Sequence, residues 1–281
     1  MAIVVVLDSG STSVLMAVDI LLEQARSENC VSVQRVCSDL RRQYPCAVPT
    51  LAHYVFIYDC LHEALCTNFA WFGADLKLTY RLMSRQTSAD GQTYFAEQFD
   101  LLCQQTGDQL DQSSTLSSSG AGRFVTLDSY RYRDCFILTN LSSQSIPERA
   151  AERLWRMVFS SRARCIVTFA TTDDNNLNPT TKGDCRCYGC YELEVISGEE
   201  SKGAVRWKTF RVRKEASSDR HSALIVRHFV FTGWQRNDTV PDCRRDEFIR
   251  LIRFAQFMVS PTSIQFLSNY CWNLSQFLNN I

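Results

Sequence analysis

The hydrophobic pattern at the start of the chain predicts a buried strand followed by a helix. Residues 3–7 form a continuous apolar run with four β-branched members, which is typical of a strand covered on both faces. The small and polar residues 8–13 indicate a turn, and apolar residues recur at helical spacing over 14–26. A strand, a loop of small residues and a helix in this order direct backbone N–H groups toward an anion.

The rest of the chain contains segments with helical spacing of apolar residues and segments with the apolar runs or alternation of strands. Helical spacing predicts helices over 32–44, 50–65, 95–105, 147–159 and 246–258, with a partial helix at 76–83. Apolar runs and alternation predict strands over 124–127, 135–139, 165–170, 191–196, 205–212 and 223–231. We expect polar loops at 108–122 and 171–184, the first of them mobile, while 259–281 shows no clear pattern. The mixture predicts an α/β or α+β fold.

The composition of the chain argues against two classes, nucleic-acid-binding proteins and membrane-spanning proteins. The 281 residues include 30 basic and 30 acidic side chains, and this balance argues against binding to nucleic acid, which normally requires a basic excess. No apolar run approaches the roughly 18–20 residues of a membrane span. Hydrophobic residues make up 45% of the chain, so a sizeable core is expected. The sequence therefore predicts a folded, cytoplasmic protein.

The thirteen cysteines fit that compartment. Most lie within apolar segments, where they act as small buried hydrophobes. One cluster, Cys185, Cys187 and Cys190, could supply three thiolates to zinc, but no second pair or histidine follows at ligand spacing. The other interpretation is three cysteines that lead into a strand. We expect no metal and no cofactor.

Several segments together resemble the protein tyrosine phosphatase family. Residues 153–159, Arg-Leu-Trp-Arg-Met-Val-Phe, and the strand at 165–169 are similar to that family's Phe-Trp-Arg-Met-Val-Trp helix and its next strand. Residues 223–234, which end in Thr-Gly-Trp, resemble the strand that enters its Trp-Pro-Asp loop. Near the start, 31–43 and 54–64 resemble the family's last two helices, and the Asp-Ile-Leu-Leu at 19–22 matches the helix after its phosphate-binding loop. The resemblance implies a central mixed, twisted sheet flanked by helices.

The order of these segments is swapped relative to one phosphatase domain. A tandem-domain receptor phosphatase explains this order if 1–66 is the end of a first domain, 67–94 a linker and 95–258 the first two-thirds of a second domain. Residues 259–281 would then be an atypical tail, as in a truncated gene product. The five-residue spacing from Trp234 to Asp238 resembles distal domains of the gamma and zeta receptor types. The sheet is then either incomplete or completed by docking of 3–65 onto 95–258.

The resemblance also locates the catalytic positions, and none of them holds the family's residue. The family's loop, His-Cys-x-x-Gly-x-Gly-Arg, supplies a thiolate and a phosphate-binding arginine. In this chain the corresponding segment contains neither residue and offers Asp8, Ser9, Gly10, Ser11 and Thr12. The acid loop has Trp234, but Arg236 stands at the general-acid position, with Asp238 two residues later. The two glutamine positions hold Pro49 and His53.

Two functional classes follow from the resemblance. The first is an inactive, regulatory or interaction module of a receptor phosphatase, whose partners are phosphotyrosine proteins or another phosphatase domain. The second is a fragment of an active phosphatase whose parent protein is membrane-anchored. The Asp8-Ser-Gly segment also fits the short loop motifs of aspartic proteases and of sugar kinases, but no second copy of either loop is present.

Overall fold

The computed structural model covers all 281 residues and describes the central elements of the chain. The described residues are 3–6, 10–66, 70–85, 92–106, 124–139, 147–169, 179, 181–215, 223–234 and 244–259. The predicted polar loop at 108–122 and the tail after 259 lie outside them, as does most of the loop predicted at 171–184.

Most of the helices and strands lie where the sequence predicts them. The helices are α1 (Ser11–Glu28), α2 (Val33–Gln43), α3 (Leu51–Cys66), α4 (Ala70–Met83), α5 (Tyr94–Thr106), α6 (Pro147–Ser160) and α7 (Arg245–Val259). The strands are β1 (Ile3–Val6), β2 (Phe124–Leu127), β3 (Phe136–Thr139), β4 (Cys165–Phe169), β5 (Cys185–Tyr188), β6 (Tyr191–Lys202), β7 (Val205–Lys214) and β8 (Leu224–Phe231). The expected α/β fold with a mixed sheet flanked by helices is confirmed.

The first strand occupies the interior of the sheet. Within the described residues the strand order is β2-β3-β1-β4-β8-β7-β6-β5, so β1 lies between two strands that come more than a hundred residues later. It pairs in parallel with both, and Ile3 faces Phe136 on one side and Cys165 on the other. Residues 3–65 therefore dock onto 95–258, which is the second of the two arrangements expected from the sequence.

The helices that follow β1 cover one face of this sheet together with α7. Their apolar side chains and those of β1, β3, β4 and β8 form one buried cluster. Phe56 of α3 packs against Phe248 of α7 with ring centroids 5.8 Å apart, and both rings contact Trp234. Helix α5 joins the same layer, because the hydroxyl groups of Tyr54 and Tyr58 both donate to Gln98 Oε1. The docking is thus made by side chains as well as by strand pairing.

The opposite face is covered by α6. Its Trp155 is fully buried and meets the ring of Phe210 edge-on at 5.5 Å. The apolar alternation along β6, β7 and β8 supplies the remainder of this second cluster. The helix similar to Phe-Trp-Arg-Met-Val-Trp therefore packs its buried side against the sheet.

Some elements extend further than the sequence predicts. Helix α4 begins at Ala70 and not at residue 76, and β6 and β7 run on to Lys202 and Lys214 as a long hairpin. Cys185 and Cys187 lie within a strand, β5, and do not merely precede one. Strand pairing maintains β6 and β7 where the apolar alternation ends and polar residues such as Glu199 begin.

Two buried ionisable groups have opposite effects on how the stability of the fold changes with pH. Burial raises the pKa of Asp19, in α1, to about 7, although a hydrogen bond from Gln256 acts in the other direction. Burial and the nearby Lys208 ammonium lower the pKa of His228 to about 4, and its Nε2 lies 2.7 Å from Thr168 Oγ1. At pH 5 to 6 the folded protein therefore holds both groups uncharged.

The stability of Asp19→Asn should rise relative to the natural chain as pH increases. Between pH 4 and 6.5 the unfolded chain ionises Asp19 while the folded chain does not, so this residue costs about 1.4 kcal/mol of stability per pH unit.

His228 has the opposite effect on the change of stability with pH, because the unfolded chain binds a proton there and the folded chain does not. His228→Gln should therefore lose stability relative to the natural chain over the same window. Urea denaturation at several pH values measures both slopes, and parallel profiles would contradict these pKa shifts.

The contact between Phe56 and Phe248 provides a test of docking in solution. A double-mutant cycle with Phe56→Leu and Phe248→Leu should give a coupling energy of about 0.5–1.5 kcal/mol in the free energy of unfolding. Leu101 is exposed on α5, so Leu101→Ala paired with Phe56→Leu should be additive and serves as the control. Additivity in both cycles would show that the two segments do not pack together.

Candidate functional site

Strand β1 precedes the segment that the resemblance aligns with the family's phosphate loop. Asp8 and Ser9 lie outside the described residues, and the loop becomes visible at Gly10, which precedes the first residue of α1. Ser11 and Thr12 are 2% and 1% exposed, and neither hydroxyl oxygen has a hydrogen-bond partner within the described part of the chain. The predicted loop residues that are visible therefore form the buried start of an 18-residue helix.

The start of α1 has the polarity of an anion site. Gly10 has no capping side chain, and the first turn contains no acidic residue, so none of these described residues offsets the partial positive charge of the free N–H groups. Ser13 uses its hydroxyl elsewhere: it donates to Gly10 O at 2.8 Å and accepts from Val48 N at 2.9 Å. The local geometry thus keeps the polarity that a phosphate loop needs.

A buried arginine fixes the neighbouring segment at 47–49. Arg41 donates from Nε to Ala47 O at 3.0 Å and from Nη2 to Val48 O at 2.7 Å. These bonds hold Val48 at a φ of 49°, in the left-handed region that β-branched residues rarely adopt. Two adjacent arginines, as at 41–42, are usually a solvated charge pair on a helix surface. That interpretation is wrong for Arg41, which is 4% exposed and lies on the apolar side of α2. The sequence signal that could have indicated this burial is the position of Arg41 directly after the apolar Leu40.

Pro49 and His53 stand at the two glutamine positions, and they differ in how far they are buried. Pro49 is exposed. His53 is held in the first turn of α3 by Thr50, whose Oγ1 accepts from His53 N at 3.3 Å and lies 2.6 Å from the ring Nδ1. Burial lowers the pKa of His53, so the ring is neutral at pH 7. Only the second of the two positions faces the loop.

The His53 ring lies directly against the start of α1. A Cβ atom at Gly10 would be 2.1 Å from His53 Nε2, so the imidazole fills the space beside the loop. On its other side the ring stacks on Trp234, with centroids 5.8 Å apart and planes 14° from parallel. Three predicted site residues, Gly10, His53 and Trp234, are therefore brought together. Arg236 and Asp238 lie outside the described residues.

The groups in this arrangement do not form an activated nucleophile. Nucleophilic catalysis needs a thiol or hydroxyl within hydrogen-bond reach of a base. The hydroxyls of Ser11 and Thr12 make no such bond to any described residue, and the hydrogen bond of the His53 ring goes to Thr50. The loop segment 4–13 contains no cysteine or arginine. Among the described residues, the His53 ring occupies the space beside Gly10.

The cysteine cluster gives no support for a metal site. Cys185 and Cys187 are exposed on β5, and Cys187 Sγ lies 3.8 Å from Glu215 Oε1. Across the ranges given above, no three His, Cys, Asp or Glu side chains lie close enough to hold an ion. The zinc interpretation of the cluster therefore has no geometric support.

Comparisons with known proteins agree with the resemblance. The family model described as "Protein-tyrosine phosphatase" matches residues 3–63 and 124–265, most of the chain. The chain is similar to "Receptor-type tyrosine-protein phosphatase U" of Gallus gallus, at 23% identity over 87% of this chain and 19% of that protein. It is also similar to "Receptor-type tyrosine-protein phosphatase epsilon" of Mus musculus and of Homo sapiens, at 23% and 22% identity over 88% of this chain and 36% of each relative.

The chain thus spans about a fifth to just over a third of the length of these relatives. Among the described residues no helix is long and apolar enough to cross a membrane. The family match covers both segments that dock in the structure, the one containing β1 to α3 and the one from β2 onward. This chain therefore belongs to the protein-tyrosine phosphatase family.

Proposed function

We propose that this chain is a catalytically silent tyrosine-phosphatase module that acts by binding other proteins in phosphotyrosine signalling. One observation carries the proposal: the ring of His53, wedged between Gly10 and Trp234, fills the space beside the α1 N-terminus. That is where the family's resemblance places the thiolate and the phosphoryl group. A filled loop is compatible with a preserved fold and incompatible with access of a phosphotyrosine side chain.

The residues of the loop support the same proposal. Tyrosine phosphatase chemistry needs a cysteine thiolate as nucleophile and an arginine that clamps the phosphoryl oxygens. Segment 4–13 offers neither. Enzymes typically lower the barrier by roughly 8 kcal/mol or more. Neutral His53 and two hydroxyls without a partner among the described residues do not supply such a contribution.

We also propose that the chain combines the end of one phosphatase domain, at 1–66, with most of a second, at 95–258, through a linker at 67–94. The alignments to receptor-type relatives support this, because each runs through 87–88% of the chain in one order. On this proposal the chain corresponds to a cytoplasmic region of a receptor, with a gamma- or zeta-like acid loop at 234–238. Its partners are phosphotyrosine proteins or another phosphatase domain.

The purified chain should not hydrolyse para-nitrophenyl phosphate or a phosphotyrosine peptide above the buffer rate. The physical reason is the missing thiolate and guanidinium. Release of para-nitrophenol and of inorganic phosphate measures turnover, and an active family member serves as the positive control. Turnover that disappears in Asp8→Asn or Asp238→Asn would show that the chain is an active phosphatase and would overturn the proposal.

Removal of the His53 ring should open the start of α1 to anions. In His53→Ala the free N–H groups and positive helix end become accessible, and we expect tungstate to bind with a dissociation constant on the order of 1 mM, or about 4 kcal/mol. Thermal denaturation with increasing tungstate measures this as a rise in Tm. His62→Ala is the matched control, because His62 lies on the same helix and packs against Tyr80.

Two results would contradict the role of His53. Tungstate would stabilise the natural chain as much as His53→Ala, or it would stabilise neither variant. The first would mean that the loop is already open, and the second that the α1 N-terminus does not attract anions even when it is exposed.

A further inference from the structure

The outward face of helix α6 carries a stripe of three arginines. Arg149, Arg153 and Arg156 are all exposed, and at about 100° per residue they fall within a sector of about 60° around the helix axis. The buried side chains of Trp155 and Val158 lie on the other side of the helix, against the sheet. The arginine stripe therefore faces away from the rest of the protein.

The acidic residues of α6 are turned toward the neighbouring β5–β6 hairpin. Glu148 Oε1 lies 3.8 Å from Arg186 Nη2 of β5. The carboxylate of Glu152 reaches the β5–β6 turn, where a Cβ atom at Gly189 would lie 2.7 Å from it. Among the residues that the structure describes, Arg156 is the one member of the stripe that pairs with a carboxylate, that of Glu152 at 2.6 Å. Positive and negative charges are thus separated across the helix.

Three arginines of this region keep an uncompensated positive charge. Arg149 and Arg153 form no ion pair with any described residue. Arg162 adds a third exposed cation at the C-terminal end of α6, also without a described carboxylate partner, and its guanidinium lies 5.4 Å from the ring centroid of Phe159. At about 1.5 Å per residue, the distance from position 149 to position 162 is about 20 Å. The chain has equal numbers of basic and acidic residues, so this local excess arises from where the side chains lie.

The exposure of these arginines favours a partner with many anionic groups in one plane. A single ion pair at an open surface contributes little to binding, because water and salt screen it. The outward face of a helix is convex and straight, so a flat surface can contact charges at several points along it. A bilayer with anionic phospholipids is such a surface, and each basic residue near it strengthens attachment by about fivefold. Guanidinium groups also match phosphate oxygens in bidentate fashion.

We propose that the outward face of α6 attaches this chain to a bilayer that contains anionic phospholipids. Arg149, Arg153 and Arg162 contact the lipid headgroups, and Arg156 contributes less because Glu152 engages it. The surface lies on the opposite side of the sheet from α1, so attachment leaves the α1 N-terminus facing away from the lipid. The proposal does not depend on whether the loop before α1 is catalytically silent.

Co-sedimentation of the full chain with phospholipid vesicles tests this attachment. The chain should bind at low salt to phosphatidylcholine vesicles that contain about one-third phosphatidylserine, and it should be released as the ionic strength rises. It should not bind to vesicles of phosphatidylcholine alone. The double variant Arg149→Gln with Arg153→Gln should bind about 25-fold more weakly, at about fivefold for each arginine. Glu152→Gln should bind more tightly, because it removes a negative charge beside the stripe and releases Arg156.

The matched control is the double variant Lys77→Gln with Arg81→Gln. These two exposed cations also lie four residues apart on one helix, α4, and form no ion pair within the described part of the chain. Helix α4 packs in the layer on the other face of the sheet, so its change of net charge should leave vesicle binding unaltered. Circular dichroism establishes that each variant is folded.

Three results would overturn the proposal. The first is an equal loss of binding in the α4 control, which would mean that the net charge of the chain matters and the α6 stripe does not. The second is absence of binding, or equal binding to the two kinds of vesicle. The third is stronger binding to a soluble glutamate-rich peptide than to the vesicles, with the same dependence on Arg149 and Arg153, which would identify an acidic protein as the partner.

Discussion

Parallel pairing of β1 between β3 and β4 is the interaction on which the rest of the structure depends. A strand needs partners on both sides when it lies inside a sheet, and β1 finds both in a segment more than a hundred residues away. Without it, β3 and β4 would lie two strand spacings apart, roughly 10 Å, which is too far for backbone hydrogen bonds. The helices after β1 would then lose the sheet face that they cover. Docking of the two segments is thus a single cooperative event.

The candidate site also depends on the pairing of β1, since each of the two segments contributes part of the site. Gly10 and His53 come from the segment that carries β1, and Trp234 follows β8 in the other. Phe56 and Phe248 join the same aromatic cluster from both sides. The contact of the His53 ring with Gly10 is therefore not a local feature of residues 10–13. It depends on packing between the two segments, because Trp234 lies on the other side of the ring.

Sequence reasoning recovered the elements because their signals are local. The apolar run at 3–7 and the helical spacing of 14–26 need no knowledge of distant partners. The strand order is different, because either arrangement of the two segments satisfies the same pattern. Arg41 was misjudged for a related reason: its partners are the carbonyl oxygens of Ala47 and Val48, which no charge pattern reveals. Contacts between backbone atoms and long side chains were the part that sequence could not supply.

A preserved fold is compatible with the proposed loss of catalytic residues, because the fold and the chemistry rest on different atoms. The sheet needs the backbone of residues 3–6 and the buried side chains of α1, whereas phosphoryl transfer needs a thiolate and a guanidinium at the loop. Gly10 shows how such a position becomes fixed for a new reason. A side chain there would meet the His53 ring, so packing alone now requires glycine. In this chain the stacked imidazole ring of His53, and not a bound phosphate, restricts the residue at position 10.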